Sequence, residues 1–470
     1  MRGILMPLVL LLSSAPISAH TSASGPAQSL AFVDVNVVPM DADRVLRGQI
    51  VLVENGVIKT MGASIPVPQG TPIVDGHGTA FLSPGLSDMH THSDTTEDLV
   101  VYLANAVTTV LNMGEARSDF VARDRPAVNR GDIPGPHVYL SFLVDGTPQY
   151  GHFIVTNADE ARALVRLAKT NGYDFIKVYN NLFPACFNAL VDESRTRRMA
   201  VIGHGLSQVG IERQLAAGQL LVAHTEEFLY TTFAEGGPEQ TDGSPGVDRI
   251  PGALAFIKRY GAFVTADLNT FAAIARQWGR PAVVEEFMRM PEIRYLAPER
   301  RIAWPSGGYK TRKGDLSAKL AFLKTFTRAL SEAGVPLVTG TDAPTIPGLV
   351  PGFSLHQDLR ALEQADAFSG SLGRNARAWR LHPQGHSRRR ALRDHRSRPS
   401  RRLDPLRREP TGRSLDAAET SRGHGTRRLV HRVRSLVASR RRRKEIRHER
   451  AGRLIGLAFA GGGHLLQRGS

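Results

Sequence analysis

The chain has 470 residues, of which 41% are apolar, so it is long enough to bury a large core as one barrel-sized unit with an appendage. Its single cysteine, Cys186, excludes an intrachain disulfide. The net charge of +16 is uneven, because residues 371–470 hold 28 Lys+Arg against seven Asp+Glu, while the preceding chain has a net charge of −5.

The N-terminus has the pattern of a secretory signal peptide. Residues 1–19 contain Arg2, then the apolar run 4–12, then small residues that end at Ala19. The apolar run is too short to span a membrane. We therefore expect a periplasmic or secreted protein with no membrane association beyond export.

Residues 28–80 predict the N-terminal part of a small β domain. The segments 30–38 and 49–58 have the apolar and β-branched composition of strands. Within the second segment, the dipeptide Asn55-Gly56 is typical of a tight hairpin turn.

Residues 81–365 predict an α/β fold, a (β/α)8 TIM-like barrel joined to a small composite β-sandwich domain. Apolar strand patterns alternate with helical patterns along this stretch. The expected strands are 85–90, 108–112, 137–142, 175–179, 200–204, 220–224, 262–267 and 336–341. Residues 228–310 are interpreted as a long insertion that walls or covers a pocket.

Six polar residues follow the ends of these strands, where barrel enzymes build their active sites: His90, His92, Lys177, His204, His224 and Asp342. Side chains alternate along a strand, so the pair His90 and His92 points both imidazoles to one face and can bind one cation. A single polar residue at a strand end is usually one with a local hydrogen-bond partner. The set as a whole predicts a hydrolytic site for two metals.

These segments resemble the metal-dependent amidohydrolase superfamily, and within it the imidazolonepropionase-like and Xaa-Pro dipeptidase-like branch. The resemblance covers roughly residues 28–365 and is specific as a set. It is carried by PGLSDMHTH at 84–92, FIKVY at 175–179, GHG at 203–205, AHT at 223–225 and TGTDAP at 339–344.

The resemblance implies that His90 and His92 bind the more buried of two divalent metals. His204 and His224 would bind the more exposed one, with Lys177 bridging both as a carbamate. A lysine ammonium cannot ligate a metal, whereas a carbamate is an anion with two oxygens. Zinc is the expected metal for such a His-rich site, although manganese, iron or cobalt can use the same ligands.

Asp342, by the same resemblance, contacts the buried metal and acts as general base and then general acid. The expected reaction is hydrolysis of an amide or cyclic amide C–N bond by a metal-bridged hydroxide. The substrate would be a small-molecule amide or dipeptide, of the Xaa-Pro or N-acyl amino acid type.

Substrate-binding residues are expected near the mouth of the barrel at His152, Tyr179 and Tyr230. For each residue the alternative is a purely structural role: a loop position for His152, packing for Tyr179 and an aromatic side chain of the pocket wall for Tyr230. The oligomeric state is left open by the sequence, with a homo-oligomer among the choices.

Two other functions remain open. A mononuclear, deaminase-like or imidazolonepropionase-like site would use His90, His92, one later histidine and Asp342, leaving Lys177 without a role. The second alternative belongs to a different class: a binding protein with a basic tail, or an inactive product.

The basic tail, residues 371–470, is predicted to be irregular, and three interpretations compete for it. A basic arm for nucleic acid is disfavoured by export, so no nucleic-acid partner is expected. Disorder would follow from its high charge and low hydrophobicity. The third is an out-of-frame translation.

The genetic code is compatible with the out-of-frame interpretation. A one-base shift of permissible codons for residues 391–410 gives PFGTIAAGHRADLILSAEN, a Gly-rich turn followed by an apolar strand. This string is similar to the C-terminal segment of the amidohydrolases, which completes the small β domain. The break would lie near residues 365–371, and we expect it to remove the last barrel elements and the strands that close the small domain.

Overall fold

The computed structural model describes residues 29–40, 44–114, 116–149, 153–234, 245–307 and 309–367. Three of the predictions lie outside these residues: the signal peptide at 1–19, the substrate role of His152 and the nature of the tail at 371–470. The described chain forms two sheets, a five-stranded one and an eight-stranded one.

The smaller sheet is the small β domain expected near the N-terminus. Its strands are β1 (Ser29–Val37), β2 (Leu46–Glu54), β3 (Val57–Gly62), β4 (Ile73–Asp75) and β5 (Phe81–Leu82). The order is β3-β2-β1-β4, and β5 also pairs with β1. Asn55 and Gly56 join β2 to β3 with positive φ of 52° and 81°, the geometry of a type I′ hairpin turn. The described residues of this domain form one sheet, so the predicted sandwich stays a prediction.

The larger sheet is the predicted barrel, and every pair of its neighbouring strands is parallel. Its strands follow chain order: β6 (Leu86–Thr91), β7 (Val107–Asn112), β8 (His137–Val144), β9 (Phe175–Val178), β10 (Ala200–Gly203), β11 (Leu221–Val222), β12 (Phe263–Thr265) and β13 (Leu337–Val338). One buried apolar cluster draws side chains from β6, β7, β9, β10, β11 and β13, so it fills the barrel interior.

The first and last barrel strands meet and close the ring. The N–H of Met89 donates to the carbonyl of Thr339 at 2.9 Å, and the N–H of Asp342 donates to the carbonyl of His90 at 2.8 Å. Gly340 lies so close to β6 that an added Cβ would come within 2.8 Å of the Cβ of His90. The seam therefore needs a residue without a side chain at this position.

The helices are α1 (Thr96–Ala104), α2 (Arg125–Arg130), α3 (Ala158–Thr170), α4 (Pro184–Thr196), α5 (Ile211–Ala217), α6 (Glu227–Thr231), α7 (Ile250–Tyr260), α8 (Leu268–Gln277), α9 (Pro281–Met288), α10 (Pro298–Ala303), α11 (Ser317–Glu332) and α12 (Phe353–Gln364). In α3, the side chain of Asn157 accepts the N–H groups of the first turn, and Ala161, Val165 and Ala168 form the buried stripe. No helix in the described part of the chain is both long and apolar enough to cross a bilayer.

Two expectations about the later part of the chain need correction. Residues 228–310 are not one insertion, because helix α7 and barrel strand β12 lie within them; the added helices α9 and α10 follow only after β12 and α8. The last barrel elements are also present, since all eight strands and α12 precede residue 367. A break near 365–371 therefore spares the closed ring.

Candidate metal centre

Six side chains converge where the barrel strands end, and they are the six selected from the sequence. Five of them, the four histidines and Lys177, are each less than a tenth exposed. Nζ of Lys177 lies 3.4 Å from Nε2 of His90. Oδ1 of Asp342 lies 3.3 Å from Nε2 of His90 and 3.0 Å from Nε2 of His92.

The four imidazoles form one cluster. The ring centroids of His90 and His224 are 4.2 Å apart, and those of His204 and His224 are 5.0 Å apart. His92 completes the group, with its centroid 5.4 Å from that of His90. Imidazoles from three different strand ends, those of β6, β10 and β11, thus share one small space.

Each imidazole has an acceptor at Nδ1. His90 and His92 contact the carbonyls of Ala223 and Gly114, both at 3.2 Å. These acceptors are backbone groups, fixed by the barrel itself. An acceptor at Nδ1 favours the tautomer with its proton there, which leaves the lone pair of Nε2 for a metal.

Carboxylates hold the other two rings. Nδ1 of His204 lies 2.6 Å from Oε1 of Glu227 and 3.1 Å from Oδ1 of Asn180. Nδ1 of His224 hydrogen-bonds to Asp267. Nε2 of His204 is buried and has no hydrogen-bond partner in the described structure. A buried imidazole nitrogen left in this way fits a cation ligand.

Two groups of side chains have ligand atoms within 4.8 Å of one another: His90, His224 and Asp342, and His204, His224 and Glu227. Both contain His224, so the two possible metal positions adjoin. Glu227 reaches its group through Nδ1 of His204, the side of the ring away from Nε2. We therefore assign Glu227 to positioning the ring and not to metal ligation.

Burial and neighbouring charges set the protonation of these groups. Burial, with His224 and Lys177 close by, holds the pKa of His90 well below its usual value. Burial also lowers the pKa of His204 to about 4, although Glu227 acts in the opposite direction. Both rings are therefore neutral at pH 7, the form that ligates metals.

The other two groups are governed by their partners. Burial lowers the pKa of His224, but the charge and hydrogen bond of Asp267 outweigh it and raise that pKa to about 10. The ring is therefore protonated at pH 7 without a metal, and a cation bound at Nε2 would displace that proton. Burial favours the neutral form of Asp342, but the hydrogen bond and charge of His92 bring its pKa to about 2. Asp342 is therefore a carboxylate at neutral pH and can accept a proton.

Solved structures share this architecture. A bottromycin amidohydrolase superimposes with a TM-score of 0.57 at 21% identity, over 76% of this chain and 79% of that one. A putative prolidase from Bifidobacterium longum gives 0.52 at 18%, covering 74% and 81%. A Xaa-Pro dipeptidase with methionine in its active site gives 0.52 at 16%, covering 74% and 89%.

The chain has the amidohydrolase fold. No protein-family model matches the sequence, and no curated protein matches it either. At these identities the amidohydrolase fold is what the solved structures share with this chain.

Two of the residues expected to bind substrate, Tyr179 and Tyr230, lie in different surroundings in this amidohydrolase fold. The ring of Tyr179 stacks on that of His204, with centroids 4.0 Å apart, and Nζ of Lys177 lies 5.4 Å from its centroid. Tyr179 thus lines the metal centre. Tyr230, in α6, packs against the apolar core formed with α7 and α11. Substrate contact by either tyrosine stays a prediction.

Three residues of the centre escaped the sequence analysis: Glu227, Asp267 and Asn180. Asp267 follows β12 by two residues, in the same position relative to its strand as His224 holds after β11. That position was a usable signal. Glu227 begins α6, where an acidic residue is ordinary, so its role becomes visible only in the folded site.

Proposed function

We propose that this protein is a member of the amidohydrolase superfamily, a metal-dependent hydrolase that cleaves an amide or cyclic amide C–N bond. The observation that carries the proposal is the set of four clustered imidazoles, each with an acceptor at Nδ1, beside the buried Nζ of Lys177. The shared fold supports it, since the superimposed structures include amidohydrolases.

The chain's donor set fits two divalent cations, with zinc as the expected metal. His90, His92 and Asp342 would hold one, His204 and His224 the other, and Lys177 both if its amine is carbamylated. When bound, such metals polarise a carbonyl oxygen and lower the pKa of water so that hydroxide is available near neutral pH.

Asp342 is the residue that moves the proton. As a carboxylate it accepts a proton from the attacking water, and it returns that proton to the nitrogen that leaves when the C–N bond breaks. The contacts of Oδ1 with His90 and His92 fix its position. Its side chain is 16% exposed, whereas those of His90 and His92 are 0% and 7% exposed, so Asp342 is the more open of these groups to solvent.

Metal content and Lys177 test the proposal together. The purified full chain should hold about two divalent metals, and Lys177→Ala should lose both metal and turnover. Added acetate should restore part of both, because it supplies the missing bridging oxygens. Lys169→Ala, an exposed lysine of α3, is the matched control and should leave both unchanged. Full activity in Lys177→Ala would exclude the binuclear site.

A mononuclear hydrolase is the second candidate, because His90, His224 and Asp342 form a complete group of three without Lys177. About one metal per chain, together with an active Lys177→Ala variant, would favour it. In either case the proposed substrate is a small-molecule amide or dipeptide, to be screened as N-acyl amino acids, dipeptides and cyclic amides.

A further inference from the structure

Two residues that follow β9 hold the imidazole of His204. The ring of Tyr179 stacks on it, and Oδ1 of Asn180 lies 3.1 Å from its Nδ1. Nδ2 of Asn180 also donates to Oε2 of Glu227 at 3.3 Å, so it contacts the carboxylate on the same side of the ring. The short segment 179–181 therefore orients one side of the metal centre.

Asp145, a buried acid at the end of the neighbouring strand, fixes this segment. It follows β8 directly and is 0% exposed. Its Oδ1 accepts the N–H of Asn181 at 2.9 Å and the N–H of Gly146 at 2.8 Å. The N–H of Tyr179 donates to the carbonyl of Val144 at 3.0 Å. The segment is thus held at both of its ends by the strand that precedes β9.

The backbone around Asp145 leaves it little freedom to move. Its N–H donates to the carbonyl of Phe153, and its carbonyl accepts the N–H of Val155, both at 3.0 Å. A Cβ added to Gly146 would lie 2.3 Å from the carbonyl oxygen of Asn181, so the two turns pack without space between them. A displacement of Asp145 is therefore transmitted to Asn181.

We propose that Asp145 is a positioning residue, which holds Tyr179 and Asn180 against the imidazole of His204 and so fixes the orientation of that ring. Burial raises the pKa of Asp145, but its contact with the segment does not depend on charge. Oδ1 accepts hydrogen bonds whether or not Oδ2, which has no partner in the described structure, carries a proton. The consequence for metal binding rests on the proposed function, in which Nε2 of His204 binds a cation.

The effect of Asp145 should be confined to one side of the centre. The rings of His90 and His92 have backbone carbonyls of other strand ends as their acceptors. Loss of the Asp145 contact should therefore change the ring of His204 and leave these two rings as they are. A general loss of structure would instead affect every ring of the cluster.

The test records nitrogen NMR spectra of the histidine rings in the full, metal-free chain. In Asp145→Ala the ring resonances of His204 should shift, because its contact at Nδ1 is loosened, while those of His90 and His92 stay unchanged. Asp145→Asn retains an acceptor oxygen and should keep the wild-type resonances. Asp159→Ala, a fully exposed acid of α3, is the control and should also match the wild type.

Metal affinity provides the second measurement. Asp145→Ala should bind the cation at His204 about 10-fold more weakly, with the other affinity unchanged, and Asp145→Asn should bind both cations as the wild type does. Asn180→Ala should also weaken the cation at His204. The double variant should lose less affinity than the product of the two single losses, because both residues act through one segment.

Unshifted resonances of His204 in Asp145→Ala overturn the inference, as do equal shifts in all four rings or a fully multiplicative loss in the double variant. If Asp145→Ala does not fold, Asp145→Ser replaces it, because its shorter side chain does not reach the N–H of Asn181. Failure of the proposed function is separate: the wild type would then bind no metal, and the ring spectra would still decide the inference.

Discussion

Nδ1 of His204 lies 2.6 Å from Oε1 of Glu227, and Oε2 of the same carboxylate accepts the N–H of Gly205 at 3.0 Å. One side chain from α6 therefore holds both the ring of His204 and the backbone that follows it. Because α6 comes after the next barrel strand, β11, the orientation of this imidazole depends on a neighbouring loop.

Removing this carboxylate should weaken one metal position. Glu227→Ala frees the ring of His204, and the affinity for the metal that His204 binds should fall about 10- to 100-fold. Glu227→Gln retains an acceptor oxygen and should lose less. Competition with a chromophoric chelator measures both affinities, with Glu285→Ala as the surface control. If Glu227→Ala binds both metals with unchanged affinity, the contact of Glu227 with His204 does not position the imidazole ring.

The barrel and the side chains proposed to bind metal could be predicted from the sequence for the same reason. Strand patterns fix where each strand ends, and parallel strands bring His90, Lys177 and His204 to one edge. The hairpin at Asn55-Gly56 was predictable because few residues adopt positive φ. The acceptor that Glu227 offers to His204 was not predictable, since it depends on how the loop of Glu227 crosses to the neighbouring strand.

Asp98 should make stability depend on pH. It is 1% exposed, and burial raises its pKa to about 6, while Oδ1 has no hydrogen-bond partner in the described structure. Because the folded pKa lies above the unfolded one, the neutral form is favoured in the fold. Its contribution is full below about pH 4 and is lost as pH rises to about 6, at a cost of about 3 kcal/mol.

Asp98→Asn should remove this dependence. The amide stays neutral, so the variant should be more stable than the wild type at pH 7.5 by about 1–3 kcal/mol, with the advantage gone at pH 4. Urea unfolding of metal-free protein at both pH values measures this, and Glu212→Gln, an exposed acid of α5, is the control. A parallel loss of stability in wild type and Asp98→Asn across that range would contradict the assignment.

We propose that residues 371–470 are translated out of frame, and restoring the reading frame should then stabilise the protein. Val57, Ile58 and Met61 of β3 are 65%, 64% and 41% exposed, an apolar edge that the shifted sequence could cover. A one-base correction between the codons for Gln364 and Gly373 should raise the thermal midpoint and reduce binding of a hydrophobic dye. Sequencing the gene comes first, and an uninterrupted frame with ordinary codon usage through residue 470 would refute the shift.

Export should remove the first 19 residues. N-terminal sequencing of protein recovered from the periplasm or medium should begin at His20. Leu10→Arg puts a charge in the apolar run and should retain the precursor in the cytoplasm, whereas Ser13→Ala should not. Recovery of exported protein that still begins at Met1 would rule out cleavage.

The seam between β6 and β13 links the proposed metal centre to the integrity of the barrel. The carbonyl of His90 accepts the N–H of Asp342, while their side chains face the same prospective cation. A metal bound there would link β6 to the segment that follows β13, and it would thereby close a very long loop of chain. Removal of a bound metal by a chelator should therefore abolish the proposed activity and also weaken the contact between the first and last barrel strands.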